Sequence, residues 1–172
     1  MIHPMKSFAL LIPLCCLVSC AGYRLGGIKP AALAHVKTIA VPMFANATLH
    51  PRAEALATSA VANAMVLDGT YRIVRRDQAD AVLEGSLASI NYTAIRSSRR
   101  DTNHPEELAN TVTLRWTLRD AKNPIKILAS GSSMGISQFY VAANLQTARN
   151  NALPDALEKA GEALVSRLAN GY

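Results

Sequence analysis

The period of the hydrophobic positions changes several times along this chain, and each change marks an element. In "VKTIAVPMF", Ile39, Val41 and Met43 alternate with Thr38, Ala40 and Pro42, the two-residue period of a strand. Pro42 has no N–H to give to a ladder, so the strand is near its end or at an edge there. "HPRAEALATSAVANAMVLDG" then predicts a helix with Ala53, Leu56, Ala60, Ala64 and Leu67 on one face. Pro51 suits its first turn and Gly69 its C-terminal stop. The alanines of that face let a helix lie close to a sheet. "TYRIVRR" reads as a short strand and "ADAVLEGSLASINYTAI" as a longer one. Leu83 and Leu87 share one side of the long strand and Val82, Ala88, Ile90 and Tyr92 take the other. The change of parity around Gly85 and Ser86 predicts a bulge, or a strand buried on both faces.

The cleanest alternation is "TVTLRWTLRD". Val112, Leu114, Trp116 and Leu118 point one way, while Thr111, Thr113, Arg115, Thr117 and Arg119 point the other, so one face is buried and one is wet or meets a polar partner. The polar, proline-containing "RSSRRDTNHPEEL" before it predicts a loop between paired strands. "AKNP" turns the chain into a last strand, "IKILASGSSMGISQFYV", loosened by Gly131 and Gly135. The closing segment puts Leu153, Leu157, Ala160, Leu164 and Leu168 on a single stripe, with Pro154 either starting that helix or kinking a longer one. The order is strand, helix, four strands, helix. It predicts an α+β two-layer sandwich, two helices packed on one face of a four- to five-stranded mixed sheet. The opposite face, bearing threonines and arginines, is left for something else.

The front of the chain follows other rules. After Lys6, an apolar run extends from Phe8 to Val18 and ends in Ser19. Eleven residues are too few to span a bilayer, which takes about twenty, and suit a signal peptide over residues 1–19. All three cysteines lie here, at Cys15, Cys16 and Cys20. Leu17, Val18, Ser19 and Cys20 resemble the bacterial lipobox. That resemblance implies that Cys20 is alkylated with diacylglycerol, becomes the first mature residue and is acylated. A thiol is needed because thiolate sulfur is the strongest side-chain nucleophile near neutral pH. Three acyl chains, each contributing ~0.8 kcal/mol per buried methylene, make a lasting anchor where one chain holds only reversibly. Ala21 in place of Asp favours the outer membrane over retention at the inner one.

Cleavage of 19 residues from 172 leaves 153, one ordinary domain: a tether over residues 20–34 and a single α+β domain over residues 35–172. Losing Lys6 leaves 17 basic residues against 12 acidic ones. Such an excess favours a polyanionic partner, and outside the cytoplasm lipopolysaccharide phosphates, anionic headgroups or peptidoglycan carboxylates take the place of nucleic acid.

Three stretches together resemble the LPS-assembly lipoprotein family, LptE: "CAGYRLGG", "VKTIAVPMFANATLHPRAEALATSAV" and "YRIVRRDQADAVLEGSL". With the closing helix the likeness covers nearly all of the mature chain, although the family commonly begins Cys-Gly-Tyr and Ala21 is inserted here. The resemblance implies a non-catalytic protein that stands inside the lumen of the outer-membrane barrel LptD, helps it assemble and delivers lipopolysaccharide to the outer leaflet. It also implies lipopolysaccharide binding by basic residues near a strand-connecting loop. The matching positions are Arg96, Arg99 and Arg100, with Arg149 at the front of the last helix. Guanidinium forks suit phosphate oxygens better than lysine does. Asp101, Glu106 and Glu107 lie close enough in sequence to neutralise part of that charge.

Other chemistries find little support. His35, His50 and His104 are far apart and in no metal-ligand spacing, and no cysteine follows Cys20, so neither a metal nor a cofactor is expected. "GSSMG" lacks the strand-to-helix setting of a nucleophile elbow, so no enzyme is expected. "GYRLGG" has no preceding strand to make a phosphate loop and reads as tether. Two rivals come from other classes. A ring-forming secretion-channel lipoprotein resembling CsgG would need amphipathic spanning strands, and no clear one exists here. A synthase-activating lipoprotein resembling LpoB would need a longer spacer than residues 21–34, ~45 Å fully extended.

Overall fold

The structure is a computed structural model and describes residues 29–97, 105–141 and 144–171. In chain order its elements are β1 (Thr38–Ala40), β2 (Ala45–Asn46), α1 (Ala53–Asp68), β3 (Arg72–Ile73), β4 (Ala81–Ser97), β5 (Pro105–Asp120), β6 (Ile127–Tyr140) and α2 (Leu145–Asn170). Single 3-10 turns lie at Ala31–Leu33 and Arg76–Gln78. The six strands form one mixed sheet in the order β3-β1-β4-β5-β6, with β2 also pairing β4. β1, β3 and the start of β4 run parallel, which requires a crossover, and α1 supplies it between β1 and β3. β4, β5 and β6 form a long antiparallel meander.

The two-layer α+β architecture is the one the sequence predicts, with one more strand. The addition is β2, two residues paired to Ser86 and Leu87 of β4, too short to show a period. The predicted bulge in β4 is present but sits later, where the register slips between Leu87 and Ser89. Beyond it Ile90 and Tyr92 oppose Val112 and Asn110, and so return to the face shared by Leu83 and Leu87.

The helices cover that face. Val112, Leu114, Trp116 and Leu118 of β5 are buried against Leu153, Leu157, Ala160, Leu164 and Leu168 of α2, as both stripes predict. α1 turns inward a face rotated from the predicted one, keeping Ala53 and Ala64 of it and Ala60 at its margin. Ala53, Ala57, Val61, Ala64 and Met65 are buried, whereas Leu56 and Leu67 are exposed. Small residues occupy every side of α1, so its own periodicity is weak and packing against α2 decides its rotation. Gly69 does end it, in the left-handed region (φ 72°) with its N–H on Met65 O. Pro154 lies inside α2, the longer of the two predicted alternatives.

The molecule has two unlike ends. At one, Lys29 donates to Val36 O and stands 4.5 Å over the Tyr71 ring, whose hydroxyl donates to Leu168 O at 2.7 Å. Pro30 lies beside Gly171 there, so the first described residues and the end of α2 meet. At the other, β4 and β5 reach their last pair, Ser97 with Pro105, near the end of β6 and the start of α2.

Candidate functional site

Two features at the far end and on the bare sheet face bear on function. Arg96 occupies one of the last registered positions of β4, opposite Glu107, which is in turn opposite Tyr140. Leu108 and Phe139, one residue on, face the helices, so the Arg96–Glu107–Tyr140 row faces away from them. Arg96 Nε is 3.9 Å from Glu107 Oε2, and its side chain is 65% exposed. At that distance the pair holds Arg96 weakly, although Glu107 itself is only 14% exposed, and among the described residues no closer carboxylate meets the guanidinium. Arg99 and Arg100 lie outside the described residues, as does Cys20.

Arg149 is not beside Arg96. It sits on the helix-covered side, its guanidinium carbon 4.7 Å from the centre of the Tyr92 ring. Tyr92 meets Phe139 edge to face, with ring centres 6.2 Å apart. Burial pushes the Tyr92 hydroxyl up from its ordinary range, and the nearby Arg149 charge pulls the other way. Across the strands, Tyr92 opposes Asn110 and Asn110 opposes Ser137, whose hydroxyl donates to Ala152 O at 2.7 Å. Asn110 is wholly buried, and neither its amide oxygen nor its nitrogen has a hydrogen-bond partner among the described residues; the same holds for Arg149 Nε. Of the sequence-derived arginines, the two that are described, Arg96 and Arg149, therefore lie on opposite faces of one end. Asn110 and Phe139 were not singled out from sequence, and Tyr92 only as one apolar strand position; Asn110 shows a usable sign, being polar where the β5 alternation calls for an apolar residue.

The face away from the helices is bare along β4, β5 and β6. Thr111, Thr113, Arg115 and Thr117 project from β5, flanked by serines on β4 and β6. Arg119 is committed to Glu84 at 2.9 Å, whereas Arg115 is exposed. Met134 and Ile136 are 56% and 47% exposed, an apolar pair along the margin. Ser133, the candidate third position of the "GSSMG" run, is buried within continuous β6 and accepts from Trp116 Nε1 at 3.1 Å. It occupies a strand, not an elbow. Among the described residues no helix is long and apolar enough to cross a membrane.

The family model for LptE, described as lipopolysaccharide-assembly, matches residues 36–168. No curated protein matches the chain by sequence. Among solved structures, a protein from Xanthomonas campestris is similar with a TM-score of 0.53 and 14% identity, over 83% of this chain and 89% of that one. An uncharacterised lipoprotein B from Nitrosomonas europaea has a TM-score of 0.50 and 14% identity, over 86% of this chain and 90% of that one. A minor lipoprotein from Acinetobacter baumannii also scores 0.50, at 7% identity over 77% and 91%. These likenesses concern the fold.

Proposed function

This chain belongs to the lipopolysaccharide-assembly family LptE, and on that premise we propose that it is a non-catalytic outer-membrane lipoprotein that plugs and helps assemble an LptD-type β-barrel and binds lipopolysaccharide on its way to the outer leaflet. Residues 1–19 are its signal peptide, Cys20 carries the lipid, residues 20–34 are the tether and residues 35–172 the working domain. The observation that carries the reading is the sidedness of the sheet. Two helices cover one face, and the other stands bare with threonines, serines and Arg115. The lumen of a barrel is a polar wall, and hydroxyls and guanidinium groups on an open sheet can hydrogen-bond it without the cost of burying unpaired charge.

Lipopolysaccharide phosphates would be met at the far end by Arg96, exposed and weakly paired, together with Arg99 and Arg100 directly after β4. Arg149 is a poorer donor to the same phosphate, because it stacks on Tyr92 under the opposite face. Its role in this reading is to be reached by a ligand that inserts at the start of α2.

Affinity capture of the acylated protein from detergent-solubilised envelopes tests the reading. A large β-barrel in near-equal amount is the expected product. Recovery of a peptidoglycan synthase, or of rings of the bait alone, would replace the plug by one of the rival lipoprotein roles.

A further inference from the structure

β6 is the outermost strand on its side of the sheet, and among the described residues it pairs only with β5. Its fourteen residues contain no charge and no proline, the two devices that most often keep an edge from recruiting another strand. The backbone groups of its even-numbered residues point off the free edge. Ser132 O accepts from Arg167 Nη1 at 2.9 Å and Ile136 O from Lys159 Nζ at 3.1 Å, both donors reaching down from α2. The side chains of the same residues lie on the bare face, where Met134 and Ile136 are exposed.

The two cations match a strand's spacing. Lys159 and Arg167 are eight helical residues apart, about 12 Å, and Ser132 and Ile136 are four strand residues apart, about 13 Å. We propose that the free edge of β6 accepts an extended strand of a partner protein that presents carboxylates four residues apart toward Lys159 and Arg167 and apolar side chains toward Met134 and Ile136. The partner's main chain takes over the outward N–H and C=O groups of Ser132, Met134 and Ile136. The cations swing from the edge carbonyls to the incoming carboxylates, and Lys159 exchanges its present exposed partner, Asp155 at 3.0 Å, for one of them. A second copy of this chain fits poorly. Antiparallel pairing of two β6 edges about Met134 sets Lys159 of each copy beside Arg167 of the other, and like charges repel. The inference does not depend on the barrel reading.

The test uses the full acylated chain in detergent micelles and two synthetic nine-residue peptides, Val-Asp-Val-Thr-Val-Asp-Val-Thr-Val and the same peptide with lysine in place of aspartate. The aspartate peptide is expected to bind at least about tenfold more tightly by fluorescence anisotropy. Met134→Pro removes one outward N–H without touching the β5 ladder, and should abolish binding. Because that variant could unfold, the double variant Lys159→Glu with Arg167→Glu supplies a second reading: its preference should reverse toward the lysine peptide. Equal binding of both peptides, binding of neither, or an unreversed preference in the double variant would overturn the proposal. Each outcome is separable from the barrel capture, which contains no peptide.

Discussion

Gly135 shows how finely the helix layer is seated. A Cβ at this position would collide with the main chain of α2 at the Ala156 carbonyl and the Ala160 nitrogen, neither of which can step aside as a side chain could. α2 therefore lies directly on the backbone of β6. Gly135→Ala is expected to destabilise the fold by ~1–3 kcal/mol or more, read as a lowered denaturant midpoint with little change in the denaturant dependence. Gly131 is different in kind, since the nearest atom to a Cβ there is Trp116 Cζ2 at 2.8 Å, part of a side chain. From sequence both glycines read as loosening the strand; in the structure they are places of close approach. That difference was invisible because it depends on what stands above the strand. The same limit applies to Arg149, whose neighbours Tyr92 and Phe139 come from two other elements.

At the level of elements, β1 is only three residues long and cannot hold its place by ladder bonds alone. Asp80, at the entrance to β4, secures it: one carboxylate oxygen accepts from the N–H groups of Lys37 and Thr38 and from the Thr38 hydroxyl, each at 2.9 Å. Those hydrogen bonds hold the Asp80 carboxyl below its ordinary range. A carboxyl that is easier to ionise in the folded chain than in the unfolded one adds stability above the unfolded pKa, and that stability is lost as the pH falls through the folded one. Asp80→Asn should therefore melt at a lower temperature near neutral pH, and its difference from the unsubstituted protein should shrink below about pH 4. A difference constant from pH 7 to pH 3 would detach the clamp from the carboxylate's charge. The long elements were legible because each has a strong period, as the stripes of β5 and α2 show. α1 was legible as a helix but not in its rotation, since alanines satisfy several faces equally and the choice rests on contacts made across the fold, among them the approach of Gly161 to the Ala60–Val61 backbone. β2 has no period to read.

For the whole molecule, the division into a covered face and a bare face is what, on the proposed reading, would let one small domain contact a wall and a cargo at once. If Arg96, Arg99 and Arg100 are the cargo contact, replacing all three by Ser should weaken lipopolysaccharide capture at low salt while barrel recovery stays intact. Unchanged capture would remove these arginines from the site. The sequence pointed to this end of the molecule through its run of basic residues, but could not tell that Arg149 approaches it from beneath. With the lipid on Cys20, as proposed, the two ends also differ in their distance from it. Lys29 lies nine positions beyond Cys20, a reach of at most about 30 Å, while the 17 residues of β4 run for about 55 Å. A body held by a leash shorter than itself cannot somersault: pressing the arginine tip against the bilayer with the tethered base uppermost would demand a leash as long as the body. Lipidation at Cys20, as proposed, would thus set polarity as well as address, and the domain would meet any lumen base first.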